Sequence, residues 1–301
     1  MKIFRYIIIV IVLVIFLAIV SANFRNVLKS FAKEIPLVAE LFRKPPPENP
    51  IVLKPERSVR LLEGWTNADM ASYFEKENIW SSDDFLSLVG DYSRQKNLKS
   101  SLELEDRFDF LKDRPVNKGL EGYLYPDTYR VFVDEAKPED LIFRMLENFD
   151  KKLTAQMRAD IAKQGKTIYE IITMASLIEK EAPINYATGD NKDAKIVAGI
   201  FWNRIKYGQA LQSCASLAYV LGVNKPQYST ADTKIESPYN TYKYRNLPPG
   251  PVSNPGILAI EAAIYPTNTN YNYFLTPAGT KDMIYAATYE QHLINKNKYL
   301  P

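Results

Sequence analysis

Cysteine and histidine are almost missing from this 301-residue chain, which has one of each, Cys214 and His292. A single cysteine excludes an intrachain disulfide, so the fold must hold without covalent staples. A single histidine excludes a His-rich metal centre, and no other grouping has metal-ligand spacing. Charge of one sign is scarce as well. Thirty-eight basic residues against 35 acidic ones leave a formal net charge of +3, which makes no case for nucleic-acid binding. Internal repeats are absent, and the one biased tract is a short Pro-rich run. The composition is otherwise ordinary, 46% hydrophobic and 24% charged, enough for one large domain or two smaller ones. Tyrosine is plentiful at 20 residues, many of them in the C-terminal half. Its flat apolar face and polar tip suit amphipathic ligands.

One long hydrophobic run does occur. Tyr6 to Val20 is apolar without a break, and Ser21-Ala22 extend it without charge. The run gives about 18 residues before Arg25, near the lower limit for a spanning helix. Lys2, Arg5 and the terminal amine precede it with no acid, which keeps the N-terminus cytoplasmic. The pattern predicts a retained membrane anchor over residues 1–23. A cleaved signal peptide is the competing reading, with Val20-Ser21-Ala22 as a loose small-residue cleavage site. The run exceeds a typical signal-peptide apolar segment, which favours the anchor. Both readings put the rest of the chain outside the cytoplasm. Residues 24–50 follow as a stalk and a linker, Arg43-Lys44-Pro45-Pro46-Pro47-Glu48-Asn49-Pro50, extended by its prolines.

Beyond the linker, 51–115 reads as a small α/β module and 116–301 as the main domain. Val59 to Leu62 forms a strand in this reading. Thr66 with Asp69 resembles a helix N-terminus with an acid one turn in, and Ser82-Asp83-Asp84 opens another helix. Gly119 to Val131 mixes turn residues, aromatics and two acids; Glu121 is a turn residue or lines a site, and spacing favours the turn. Pro138 to about Ile161 has the period of one amphipathic helix. Helices are also expected over 194–207, from about Cys214 to Gly222, over 257–263 and over 288–299. A hairpin is expected around Pro277-Ala278-Gly279-Thr280.

The segment Thr167 to Pro183 organises the chain. Ile168, Ile171, Ile172, Met174, Ala175, Leu177 and Ile178 cover more than half of its helical circumference, and a helix that apolar is largely buried. Glu179 and Glu181 fall on the apolar arc, where carboxylates are costly unless something uses or pairs them. Pro183 stops the helix at Ala182, so Glu181 sits in the last turn. Desolvation and the partial negative charge of the helix end both favour its protonated form. A carboxyl kept neutral near pH 7 is what a general acid requires. The ordinary alternative is a glutamate paired with a buried arginine or capped by backbone amides.

Two further stretches stand out. Asn203 and Arg204 lie near a helix end, as a C-terminal pair or as a polar contact to ligand. Ser237 to Tyr242 and Leu247 to Gly256 are too rich in proline and glycine for helix or central strand. Their interleaved Tyr, Asn and Thr suggest a rigid loop presenting amides and aromatic faces to a cleft; a purely structural loop clamped on the core stays open.

Read together, these blocks resemble the YceG-like endolytic murein transglycosylases. The resemblance rests on Leu120-Glu121-Gly122-Tyr123-Leu124-Tyr125-Pro126-Asp127-Thr128-Tyr129, Ala175-Ser176-Leu177-Ile178-Glu179-Lys180-Glu181-Ala182, Phe201-Trp202-Asn203-Arg204-Ile205 and Leu211-Gln212-Ser213. It continues through Ser237-Pro238-Tyr239-Asn240-Thr241-Tyr242 and Leu247-Pro248-Pro249-Gly250-Pro251 to Tyr289-Glu290-Gln291-His292. It covers about Arg60 to the C-terminus. It implies an α+β fold: an N-terminal membrane helix, a small LysM-like α/β module, and a mainly helical catalytic domain with a β-hairpin and a lysozyme-like active-site helix.

The resemblance further implies cleavage of peptidoglycan glycan strands between N-acetylmuramic acid and N-acetylglucosamine, leaving a 1,6-anhydro end. One Glu acts as acid and then base, with no metal or cofactor. Glu181, followed by the small Ala182, fits the catalytic position better than Glu179. Glu121, Tyr125, Glu179, Asn203, Gln212, Ser213, Tyr239, Asn240 and Tyr242 are the expected substrate-binding residues. The partners implied are the glycan strands, the cytoplasmic membrane and cell-wall synthesis or division proteins, with no nucleic acid. Two departures matter. The LysM-like region looks truncated, and Cys214 stands where many relatives have Asp. A non-catalytic cell-wall scaffold is the alternative from another class, and a water-dependent hydrolase using Glu181 with Glu121 or Glu179 is a third reading.

Overall fold

Short helices rarely hold in water unless their ends are capped and one face is buried, and among the described residues a side chain caps the start of five of the nine α-helices. The computed structural model describes residues 55–90, 104–132, 136–225, 227–277, 279–280 and 282–300, together with Val20, Ser21, Asn23, Phe24 and Asn26. Those five aside, the expected anchor over 1–23 and the stalk and linker over 24–50 lie outside the described residues. Among the described residues no helix is long and apolar enough to cross a membrane.

Strand β1, Glu56–Arg60, pairs antiparallel with β2, Thr128–Phe132, in a register running from Glu56↔Phe132 to Arg60↔Thr128. Val59, Tyr129 and Val131 are buried while their strand neighbours are exposed or half-buried, the alternation of a sheet covered on one face. Two helices follow β1 in the chain, α1 at Asn67–Lys76 and α2 at Ser82–Val89. Thr66 and Asp69 form a reciprocal capping box at the start of α1. Ser81 caps α2. Phe74 and Phe85 meet edge-on with ring centroids 4.9 Å apart, joining the two helices. The partner of β1 thus arrives some 70 positions later, in the stretch that also carries Glu121.

The 3.6-residue period over 138–161 predicts one helix, and here the structure differs. Helix α3 spans Pro138–Lys152 and α4 spans Ala155–Lys163. Leu153 leaves helical geometry at ψ 83°, and the Thr154 hydroxyl accepts from the Met157 amide, 3.3 Å away, to start α4. A threonine that can cap competes with helix continuation. Because Leu153 and Met157 stay buried on both sides of the break, the apolar period runs through it unchanged.

Helix α5, Ile168–Glu181, is the central rod. Thr167 and Glu170 form its capping box, and every residue from Ile171 to Ile178 is buried. It packs against α4, against α6 at Lys192–Lys206, against α7 at Cys214–Leu221 and against α8 at Ile257–Ile264. Burying each large apolar side chain of this rod contributes about 1.5–3 kcal/mol. Strands β3, Tyr273–Leu275, and β4, Ile284–Ala286, form the expected hairpin. Helix α9, Tyr289–Tyr299, follows with Thr288 as its cap and packs on both strands. The described part is therefore mainly helical with two small antiparallel sheets.

Candidate active site

The end of α5 is set by Pro183, which bars helical geometry one residue earlier. Ala182 accordingly adopts φ −113° and ψ 143°, and Glu181 is the last helical residue. Its carboxylate meets the start of α7. Ser213 Oγ donates to Glu181 Oε1 at 2.6 Å, and the Ala215 amide donates to the same oxygen at 3.1 Å. The segment before α7 is itself pinned. Gln212 N donates to Thr241 O, and Ser213 N to Thr241 Oγ1, both at 3.0 Å. Ser216 Oγ and Thr241 Oγ1 are 2.9 Å apart.

Two effects compete at Glu181. Burial raises its pKa, while the Ser213 hydroxyl, the amides of Ala215 and Cys214 and the charge of Arg204 lower it; burial wins, and the carboxyl stays above its ordinary range. The C-terminal end of α5 sets partial negative charge beside this group. The structure adds the opposite pole, the N-terminus of α7, whose amides stabilise the ionised form. The group is therefore favoured as an acid yet equipped to bear charge once the proton has left.

Glu181 opens onto a cavity of about 360 Å³, within the range of small-ligand sites. Arg204, Gln212, Cys214 and Tyr242 line it from the α6–α7 side and the following loop. Phe274, His292 and Lys296 are among those lining it from the hairpin and α9. Tyr273 stacks on His292 with centroids 5.1 Å apart. Glu181 is the one carboxylate in this lining. Cys214 lies 3.1 Å from the Tyr242 hydroxyl, and burial pushes its thiol pKa up.

The other acid of the pair is used differently. Glu179 Oε2 accepts from Tyr186 Oη at 2.5 Å and from the Gly256 amide at 3.0 Å. Burial pushes its carboxyl up to about 7 against those two hydrogen bonds. The contact depends on Gly256, where an added Cβ would lie 2.3 Å from Tyr186 Oη. Glu179 thereby ties the end of α5 to the start of α8, and it is absent from the lining of the Glu181 cavity.

The family model described as "YceG-like family" matches residues 36–298. The chain belongs to the YceG-like family. It is 29% identical over 242 residues to an endolytic murein transglycosylase of Bacillus subtilis (strain 168), covering 80% of this chain and 65% of that one. It is 36% identical over 187 residues to a protein of the same name from Streptococcus pneumoniae serotype 2 (strain D39 / NCTC 7466), covering 60% and 32%. The chain thus spans about two thirds of the Bacillus relative and about a third of the streptococcal one. A crystal structure of a YceG-like protein from Listeria monocytogenes superposes with a TM-score of 0.66 at 30% identity, covering 79% of this chain and 76% of that one.

In this YceG-like chain the other residues singled out in the sequence divide into three groups. Gln212, Ser213 and Tyr242 gather around Glu181. Glu121 lines a separate cleft of about 320 Å³ with Trp65, Lys180 and Tyr219 among others, and accepts from the Asn67 amide at 3.1 Å and from Asn254 Nδ2 at 3.2 Å. The remaining four are absent from the lining of the Glu181 cavity. Asn240 is fully enclosed, donating to Thr233 O and Ile235 O and accepting from the Tyr242 amide. Asn203 donates to Thr269 O at 2.9 Å. Tyr125 is buried, its hydroxyl pushed up to about 12 by desolvation. Tyr239 is buried against Tyr219, with Lys118 Nζ 3.3 Å from its hydroxyl.

Tyr273, His292 and Lys296 are site residues that the sequence did not single out, and Arg204, left there between a helix-end pair and a ligand contact, joins them in the cavity wall. Arg204 carries its charge into the cavity wall while donating to Leu211 O at 2.5 Å and, through Nε and Nη2, to Asn272 O at 3.2 and 2.7 Å. Those bonds join the end of α6 to the Gln212–Ser213 segment and to the hairpin. The signal in the sequence was the Phe201-Trp202-Asn203-Arg204 block and the closing Tyr289-Glu290-Gln291-His292 block, but neither shows that its residues meet across 70 positions or more.

Proposed function

We propose that this chain is a membrane-anchored, endolytic lytic transglycosylase that cleaves bonds between N-acetylmuramic acid and N-acetylglucosamine in nascent peptidoglycan. The reading is supported by the family, by relatives named for that activity, and above all by one observation. The cavity at the end of α5 holds a single carboxyl, raised in pKa by burial and, among the described residues, in no ion pair within 4 Å.

In this mechanism Glu181 protonates the glycosidic oxygen as the bond to the muramyl anomeric carbon breaks. The muramyl 6-hydroxyl attacks that carbon and forms the new C1–O6 bond. Its proton passes to the Glu181 carboxylate, which is thereby reset. An internal nucleophile needs no second carboxylate to activate water, unlike ordinary glycoside hydrolysis. Ser213 and the α7 amides hold the carboxylate in place between the two proton transfers, which is electrostatic preorganisation at the point where charge appears. Tyr242, Gln212, Tyr273 and Lys296 supply the polar and aromatic surface against which sugars pack. The anchor over residues 1–23 would keep the site at the outer face of the cytoplasmic membrane, and the LysM-like module over 51–115 would contain β1, α1 and α2, with β2 contributed by the domain that follows.

The test is product chemistry. The part beyond the linker, incubated with isolated peptidoglycan, should release fragments ending in 1,6-anhydro-muramic acid, seen by mass spectrometry as the loss of one water per new end. Reducing ends would instead mark a hydrolase, and no release would mark a glycan-binding scaffold.

A further inference from the structure

A second cavity, of about 460 Å³, adjoins the first: Arg204, Gln212, Tyr242 and Tyr273 line both. Its other lining residues include Lys243 and Arg245, and no Asp or Glu is among them. Three cations on one hollow is a marked local excess in a chain with a net charge of only +3. The three differ in how they are held. Lys243 is ion-paired with Glu236 at the exposed rim. Arg245 is exposed and makes no hydrogen bond or ion pair among the described residues. Arg204 is buried, and its partners are the carbonyls of Leu211 and Asn272. Carbonyls satisfy N–H groups but do not neutralise charge. A guanidinium has five N–H donors, so those three bonds leave two for something else.

We propose that this hollow receives an anionic substituent of the glycan strand, a carboxylate or a phosphate, while the sugars occupy the cavity of Glu181. The inference rests on the transglycosylase reading and specifies its substrate. With the muramyl lactyl carboxyl held in amide linkage to the stem peptide, the sugars themselves are neutral. Negative charge enters peptidoglycan at the free carboxylates of the stem peptide borne by the muramyl lactyl group, and at the pyrophosphate of a strand still joined to a lipid carrier. A guanidinium fork matches either group. The amide side chains of Gln209 and Gln212 add peptide-compatible hydrogen bonding to the same wall. The enzyme would thus read charged substituents of the strand with residues that take no part in proton transfer.

The experiment uses the full chain carrying Glu181→Gln, so that ligands bind without being cleaved. Three muramyl tetrasaccharides are titrated calorimetrically: one bearing stem peptides, one stripped of them with its lactyl carboxyls capped as neutral methylamides, and one likewise stripped and capped but ending in a pyrophosphate. The same series is run with Lys243→Ala and Arg245→Ala added. Both positions are exposed, so thermal unfolding should be unchanged. An anionic group should give about a tenfold tighter Kd than the stripped ligand, and the added substitutions should remove that gain while leaving binding of the stripped ligand as it was. Whichever ligand shows the gain, peptide-bearing or pyrophosphate-ended, identifies the source of the charge. Equal loss for all three ligands, or no loss for any, overturns the anion site and leaves the transglycosylase reading standing. No binding of any ligand before the substitutions are added overturns both.

Discussion

Ser213 Oγ lies 2.6 Å from Glu181 Oε1 and donates to it, so the residue that precedes α7 holds the residue that ends α5. This hydrogen bond lowers the carboxyl pKa against the larger effect of burial. Removing it should raise the pKa further. The first proton transfer needs the protonated acid, so kcat/KM falls as pH rises through that pKa. Ser213→Ala should therefore shift the alkaline limb of the pH–kcat/KM profile to higher pH. A limb that stays put or moves to lower pH would contradict the assignment of that limb to Glu181.

Glu179 gives a prediction about stability. Its folded pKa is raised by burial to about 7 from an ordinary 4.5. Folding therefore favours the protonated form, and the stability this group contributes is complete below about 4.5 and lost as pH climbs through about 7. The loss amounts to about 3 kcal/mol at 1.36 kcal/mol per pKa unit. Denaturant unfolding from pH 4.5 to 8 should show this decline, and Glu179→Gln should remove that share of it. An identical slope in the variant would mean that the Tyr186–Glu179–Gly256 contact is not a proton-linked element.

Asn254 links the Pro-rich loop to two distant segments. Its Oδ1 accepts from the Gly122 and Leu124 amides at 2.9 and 3.0 Å, and its Nδ2 donates to Trp65 O, Asn67 Oδ1 and Glu121 Oε1. Asn254→Asp keeps the shape, removes the donors and sets a carboxylate against Glu121. Buried groups left unpaired in this way cost about 1–3 kcal/mol each, so a loss of about 3 kcal/mol or more is expected by chemical denaturation. A loss under about 1 kcal/mol would show that the loop is held elsewhere.

Gly250 tests how closely that loop lies on α5. A Cβ there would sit 2.4 Å from Tyr169 Oη, whose hydroxyl donates to Pro249 O at 2.7 Å. Gly250→Ala should destabilise by about 1–3 kcal/mol. In a Tyr169→Phe background the blocking oxygen is gone, and the cost of Gly250→Ala should shrink. Additive effects in this double-mutant cycle would contradict the contact.

Local signals in the sequence were legible where one element decides its own fate. The cap at Thr66, the buried face of α5 and the stop at Pro183 all follow from neighbours within a few residues. The break at Leu153-Thr154 was hidden because the apolar period passes through it unaltered. Strand β2 was hidden because Thr-Tyr-Arg-Val-Phe is short and its partner lies some 70 positions earlier. The site was legible to the same extent. Glu181 stood out by its place at the end of a buried helix, and Ser213 and Gln212 through resemblance. Arg204, Tyr273 and Lys296 reach the same cavity from three separate elements, and no spacing along the chain encodes that meeting. Asn240 and Asn254 show the converse: polar residues in a conspicuous loop whose hydrogen bonds are spent on holding the loop itself.

The most direct measurement compares anhydro-end release from peptidoglycan by the parent chain, Glu181→Gln and Glu179→Gln at one pH near 7, with folding verified for each. General acid–base catalysis by a side chain typically contributes about 10²–10⁴-fold. The account predicts a rate lost by at least that factor in Glu181→Gln and retained to a measurable degree in Glu179→Gln. An active Glu181→Gln protein beside an inactive Glu179→Gln one would contradict it.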